Sequence, residues 1–353
     1  MDDIYISGRR PEEEIPVVNL NAQPPLPPEQ PAQPPAPQPK KKKKRRPLRK
    51  LLIALAAVIL AVSLLITGVA AASGYTRENL KRNQYVSFGS LANSPFVTNI
   101  LLLGIDADAE GTTRADSMIL VSLDFVHRKI KLTSFLRDCW VEIPTRESKN
   151  KLNAAYAYGG AQLQTDTLEK NFGVDIDHYI KVDFEMFTQI IDRLGGVDVE
   201  VTEKEAQFIN RTTRHTVDSG SSVHLDGAKA LVYCRIRKLD TDYMRTYRQR
   251  KVITALIAKA RRTDPATLFE TARDVIPMLT TDLSAPEITA LVYKAGVALL
   301  GFKLEQTRVP TDDQMSVGTK NGQWVEEPDL EAVRDYLHDF IYTNKIQLEE
   351  DAQ

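Results

Sequence analysis

The feature that most constrains this 353-residue chain is a run of 22 residues without a charge, Leu51–Ala72. It stands directly behind nine Lys and Arg side chains between Lys40 and Lys50. At the helical rise the run is about 33 Å long, enough to cross the hydrocarbon core of a bilayer. A core helix of that length keeps a polar stripe and this run has none, so the pattern predicts a transmembrane helix over residues 51–73. The cations precede the span and are absent just after it, which keeps residues 1–50 in the cytoplasm and sends the rest of the chain outward. A cleaved signal peptide is the competing reading, because Ala70-Ala-Ala-Ser73 offers small residues. The fifty-residue polar leader and the long apolar run oppose it.

The leader carries nine prolines within residues 24–39 and reads as an extended, solvated spacer. Its basic run suits anionic headgroups of the inner leaflet. Residues 74–95 form a polar connector, residues 96–345 are long enough for one large domain with a full core, and 346–353 are a polar tail. The 46 basic and 47 acidic side chains of the whole chain nearly cancel, so total charge points to no partner.

Within the domain, apolar runs rich in β-branched residues predict strands over 96–103, 117–123, 129–135, 178–182 and 197–201, with further strands over 302–309 and 322–325. Helical spacing predicts helices over 161–171, 184–194, 226–233, 265–281, 286–300 and 329–342, and one through Val252, Ile253, Leu256, Ile257 and Ala260. Residues 202–224 read as irregular or partly helical. Strands and helices alternate without strict βαβ order, which predicts an α/β (α+β) domain with a mixed sheet packed between helices.

Two clusters carry chemistry. The stretch Arg235–Gln249 holds Arg235, Arg237, Arg245 and Arg248, with Asp242 among them. Asp240 or Thr241 is placed to cap the helix that follows. Counting back along that helix puts Arg245, Arg248 and Gln249 on the face that later enters the core. Cations in a first turn oppose the helix dipole, and a bound phosphate reverses that conflict by taking backbone N–H groups and forked guanidinium bonds. The other reading is a solvated turn whose arginines pair with Asp240 and Asp242. The second cluster is Asp106 and Asp116, which end one strand and begin the next. If those strands pair, the two carboxylates lie at the same end and suit a hard divalent cation. Turn-capping aspartates give the same spacing. Cys139 and Cys234 read as small buried hydrophobes, although an outward domain permits a disulfide. Without a Cys-x-x-Cys, and with five scattered histidines, no zinc site is indicated.

Seven stretches together resemble the LytR-CpsA-Psr family of cell-envelope proteins. They are Asn99–Asp106, Arg114–Ser117, Ser134–Asp138, Lys151–Tyr156, Leu225–Leu231, Arg235-x-Arg237 and Asp242-x-x-Arg-x-x-Arg-Gln249, in the family's order across residues 97–260. The resemblance implies a membrane-anchored, metal-dependent phosphotransferase on the outer face of a bacterial cell membrane. Such an enzyme moves a glycopolymer, teichoic acid or capsule, from undecaprenyl pyrophosphate to a hydroxyl of peptidoglycan N-acetylmuramic acid. It implies an apolar tunnel for the polyprenyl chain and a Mg2+ (or Mn2+) on Asp106 and Asp116. It further implies a pyrophosphate grip by Arg137, Arg237, Arg245 and Gln249, with Arg235, Arg248 and Lys151 as neighbours. An uncharged hydroxyl needs help to lose its proton, and Asp242 is the candidate base. The chain departs from the family at Leu136, where proline is frequent, at Asp108, where arginine is frequent, and over 202–224. The alternatives are a pyrophosphatase without an acceptor, a polyprenyl-binding protein, and a transcriptional attenuator. The last lacks support, since residues 1–50 show no helix-turn-helix pattern and no nucleic-acid partner is expected.

Overall fold

The computed structural model describes residues 46–81, 93–107, 113–213, 216–237, 239 and 241–346. The proline-rich and basic leader, Asp108, Asp240 and the tail after residue 346 lie outside them. Helix α1 (Arg46–Ala72) is followed by the short strand β1 (Thr76–Arg77) and then β2 (Val97–Ala107), β3 (Thr113–Asp124) and β4 (Lys129–Phe135). Next come β5 (Trp140–Val141), β6 (Asn150–Lys151), α2 (Ala154–Phe172), β7 (His178–Val182), α3 (Phe184–Arg193), β8 (Val197–Val201), α4 (Glu203–Thr213) and β9 (Gly220–Leu225). The chain continues through α5 (Gly227–Cys234), α6 (Asp242–Ala260), α7 (Pro265–Val275), β10 (Thr280–Thr281) and α8 (Ala285–Leu299). It closes with β11 (Lys303–Val309), the hairpin β12 (Met315–Lys320) and β13 (Gln323–Pro328), and α9 (Leu330–His338).

Seven strands form one mixed sheet in the order β1-β10-β7-β2-β3-β4-β11. The β2–β3 and β3–β4 pairs are antiparallel, whereas β2–β7 and β4–β11 are parallel. Strand β2 is flanked on both sides and covered on both faces, which is why Ile100-Leu-Leu-Leu103 reads as a continuous apolar run. Leu101, Leu103, Met118 and Leu120 face one core with Leu168 and Phe172 of α2 and Val333 and Leu337 of α9. Ile100, Leu123, Ile130 and Leu132 face the other, with Ala298 of α8 and Ile253 and Ile257 of α6 packed there.

The strands expected over 129–135, 178–182 and 197–201 stand at those bounds. The helix expected from 161 begins earlier, at Ala154, but is kinked where Gly159 and Gly160 leave helical geometry; Gly160 has φ 62°, a conformation that favours glycine. The segment read as irregular or partly helical over 202–224 holds helix α4 and, in addition, most of strand β9, which pairs with β8. The long helix expected over 265–281 stops at Val275, because Pro277 lacks the N–H that continues it, and a short strand follows. The strand expected over 322–325 is half of a hairpin whose first arm, β12, the periodicity did not show.

The segment expected to span a membrane, 51–73, overlaps helix α1 (Arg46–Ala72), in which the side chains of residues 46–52 and 55 lie outside the described ones. Among the described residues no helix is long and apolar enough to cross a membrane. Ile66 and Ala70 of α1 are buried with Ile276, Leu283 and Ile288, and Thr67 hydrogen-bonds Thr289 of α8. Ile53, Leu60, Leu64 and Leu65 on the same helix are exposed.

Candidate active site

The site is built on an irregularity in the central ladder. Gly104 pairs with Ser117 but Ile105 pairs with Ala115, so Asp116 is an unmatched residue in a β-bulge. Ala115 and Met118 both face the interior although they stand three positions apart, an odd offset. A regular strand alternates its side chains and forbids that parity; the extra residue permits it and turns Asp116 out of the core. Gly104 is required beside the bulge, since a Cβ there would lie 2.8 Å from the Cβ of Ser117. Asp106 lies at the same end of β2, with its backbone in register with Arg114. The backbones of residues 106 and 116 thus stand at one end of neighbouring strands, while the side chain of Asp106 lies outside the described ones.

Three arginines from separate segments converge on Asp116. Arg137, just past β4, donates from Nη1 to Asp116 Oδ1 at 2.9 Å. Arg237, between α5 and α6, donates from Nη2 to Oδ2. Arg245, the fourth residue of α6, donates from Nη2 to the Asp116 carbonyl at 2.9 Å. Asp242 completes the cluster: its Oδ1 lies 3.2 Å from Arg137 Nε and 2.9 Å from Arg245 Nη2. Its Oδ2 is buried with no hydrogen-bond partner, and Arg245 Nε and Nη1 are likewise unmatched. Gln249, one turn beyond Arg245, accepts through Oε1 from the Ser117 hydroxyl at 2.9 Å. Lys151 approaches through the β5–β6 pair, its Nζ 2.7 Å from Asp138 Oδ1.

Behind these charges lies an apolar cavity of about 210 Å³. Its walls come from the sheet (Leu102, Ile119), from α3 (Phe184, Phe187, Ile190) and from α5 and α6 (Leu231, Ile253, Leu256). Asp116, Arg235, Arg237, Arg245 and Gln249 belong to the same lining. Greasy walls with a rim of guanidinium groups suit a ligand with an apolar tail and an anionic head.

Electrostatics follow from this crowding. Burial alone would raise the Asp116 carboxyl, but Arg137, Arg237 and Arg245 outweigh it and hold the group below the ordinary carboxylate range. Burial pushes Asp242 up, helped by Asp138 and opposed by Arg245 and Arg137. Burial pulls Arg245 down to about 10, which leaves it charged at neutral pH.

Two sequence-predicted residues stand apart from the cluster. Arg248 is fully buried on another side of α6, with Nη1 3.2 Å from Glu205 Oε1 and Nη2 donating to the Ile236 carbonyl at 2.7 Å. Arg235 lines the cavity but lays its guanidinium 4.3 Å over the ring of Phe184. Thr241 occupies the N-cap position of α6 without a side-chain cap bond. Both cysteines are free and buried.

Sequence reading passed over several neighbours. Asn153 reaches Asp116 Oδ1 at 3.5 Å from inside a stretch already quoted for the resemblance. Phe184 and Phe187 read only as helix core. Glu326, buried on β13, donates its N–H to the Asp138 carbonyl at 3.1 Å; no local pattern marked it. Among the described residues no group of three or more His, Cys, Asp or Glu is arranged to hold a metal.

The chain is a mixed α/β domain whose sheet ends at an arginine-rimmed apolar pocket. The family model for the LytR_cpsA_psr family matches residues 62–339, and the chain belongs to that family. Among its relatives, a protein of Halalkalibacterium halodurans named polyisoprenyl-teichoic acid–peptidoglycan teichoic acid transferase TagU is 35% identical over 50% of this chain and 56% of its own length. The chain thus spans little more than half of that relative. An Enterococcus faecalis protein of the same name is 30% identical over 76% of this chain and 87% of its own length. A solved structure described as TagT bound to LIIa-WTA superposes with a TM-score of 0.61 at 26% identity, covering 75% of this chain and 99% of that one.

Proposed function

We propose that this protein is a membrane-anchored phosphotransferase that moves a teichoic acid or another glycopolymer from a polyprenyl pyrophosphate, undecaprenyl in chain length, to a peptidoglycan hydroxyl. The observation that carries the reading is the junction of the apolar cavity with Arg137, Arg237 and Arg245. The cavity suits the polyprenyl chain and the guanidiniums suit bidentate contact with phosphate. The names of the relatives point to the same donor and acceptor classes. Helix α1 serves as the anchor, with its basic leader inside.

In this reading the acceptor oxygen forms a bond to the phosphorus that carries the glycopolymer. The bridging P–O bond breaks, polyprenyl phosphate leaves, and the acceptor proton passes to Asp242 Oδ2. The arginines neutralise charge that grows on the leaving phosphate, and they do so in fixed positions shielded from water. Asp116, kept ionised, is a hard oxygen donor at the same strand end as Asp106, and this pair would hold a Mg2+ or Mn2+. When bound, that ion supplies further neutralisation of phosphate charge.

The test uses the full chain in lipid vesicles with purified lipid-linked donor and peptidoglycan. Covalent transfer is expected, with loss on chelation and loss in the Arg137→Ala variant. Phosphate release at equal rate with and without peptidoglycan would instead identify a pyrophosphatase.

A further inference from the structure

The proposed transfer needs an acceptor held so that its hydroxyl meets Asp242 Oδ2, the buried carboxylate oxygen with no partner. The surface beside that atom has a distinct character. Tyr243 follows Asp242 in the first turn of α6 and is 42% exposed. Its ring is fixed in place by Arg308, whose guanidinium lies 4.4 Å from the centroid. Arg308 is itself buried and held by the Pro310 carbonyl and by Asp312 at 2.6 Å. An exposed ring with a buried cation against it has lost its freedom before any ligand arrives.

The hairpin β12–β13 borders the same place. Glu326 is fastened to Asp138 through its backbone, and the charges of Asp242, Asp138, Arg308 and Arg137 all act on its buried carboxyl. Side chains two apart on a strand share a face. Trp324 therefore extends the face of Glu326 outward by about 7 Å, and there it is 51% exposed, opposite Thr319. Two large aromatic rings thus stand in solvent, Tyr243 next to Asp242 in the chain and Trp324 two residues from Glu326 on the hairpin fastened to Asp138.

Resting on the proposed transfer, we propose that Tyr243 and Trp324 form the acceptor subsite and bind the glycan strand of peptidoglycan. A hexosamine ring presents an apolar C–H face that covers an aromatic ring, and hydroxyls that keep their bonds to water and polar neighbours. Such a ligand is uncharged at the rings, so it needs none of the guanidiniums already committed to phosphate. The position next to Asp242 assigns the subsite to the nucleophile and not to the donor's own sugars.

The test combines kinetics with binding, using soluble oligomers of the N-acetylglucosamine–N-acetylmuramic acid repeat. Tyr243→Ala and Trp324→Ala should each raise the acceptor KM about tenfold, which corresponds to about 1.4 kcal/mol. The donor KM and kcat at saturating acceptor should stay within about twofold, and Tyr243→Trp should restore the acceptor KM. The oligomers should shift tryptophan emission of the wild-type chain, and Trp324→Phe, which keeps Trp140, should abolish the shift. Unchanged acceptor KM in both alanine variants, or a rise in donor KM alone, overturns the subsite while the transfer itself stands. A wild-type chain that binds the oligomers through Trp324 but transfers nothing overturns the transfer and leaves the subsite.

Discussion

The two ends of the central sheet both bury charge, and they bury it differently. At the end away from the site, Asp124 and Lys131 have fully buried side chains 2.8 Å apart. Both members of this pair are matched, although Glu305 Oε2 beside them is buried without a hydrogen-bond partner. Asp124 accepts from the backbone of Val126 and His127 and meets His127 Nδ1 at 2.7 Å, while Lys131 also donates to the Ile341 carbonyl at 2.8 Å. At the other end, Asp242 Oδ2 and Arg245 Nε and Nη1 are buried without hydrogen-bond partners, and three guanidiniums meet the carboxylates of Asp116, Asp138 and Asp242. A closed network stabilises a fold. An open one leaves buried polar atoms for a ligand to match, as the proposed pyrophosphate would.

The largest effect should come from breaking the closed end. Lys131→Met strands a buried carboxylate and should lower stability by about 3–5 kcal/mol. Denaturant unfolding of the purified chain measures the loss, and donor binding per folded molecule should stay unchanged. A loss of donor affinity would mean that the two ends are coupled. Next in size, Arg245→Ala should slow transfer by about 10²–10³-fold while lowering stability much less than Lys131→Met does. Equal destabilisation by the two substitutions would make Arg245 another structural cation and erase the contrast.

The smallest effect concerns Glu326, whose carboxyl burial pushes up to about 7, with Asp242 and Asp138 adding to the rise and Arg308 opposing it. The folded chain then holds a proton that the unfolded chain gives up near the ordinary glutamate value of 4.5. Stability should therefore fall as pH rises between about 4.5 and about 7 and level off above, by roughly 3 kcal/mol at most. Glu326→Gln should flatten that slope in denaturant unfolding between pH 5 and pH 7.5. Parallel slopes for the two proteins would place an ordinary, ionised glutamate at the open end.

Much of this architecture is legible in local patterns. The alternation of Val197–Val201, the apolar run at Ile100–Leu103 and the glycine pair after α3 each report their own element. Arg137, Arg237, Arg245 and Gln249 are legible as a group only through the family resemblance, since the sheet, the α5–α6 connection and α6 bring them together. Glu326 and Trp324 escape altogether. Their significance depends on a hairpin docking beside Asp138, a contact between residues almost two hundred positions apart that no periodicity encodes. Arg248 shows the reverse failure: helical counting puts it on an inward face, but cannot say that Glu205 waits there.

The unmatched residue in the β2–β3 ladder has a consequence for anyone who would improve this protein. Deleting one residue near Asp116, or reshaping Gly104–Ser117 towards an ideal ribbon, would make a straighter and tidier pair of strands. It would also rotate the acidic group inward and send Ala115 to its place at the entrance. A variant selected only for heat resistance at this spot should therefore come back sturdy and inert.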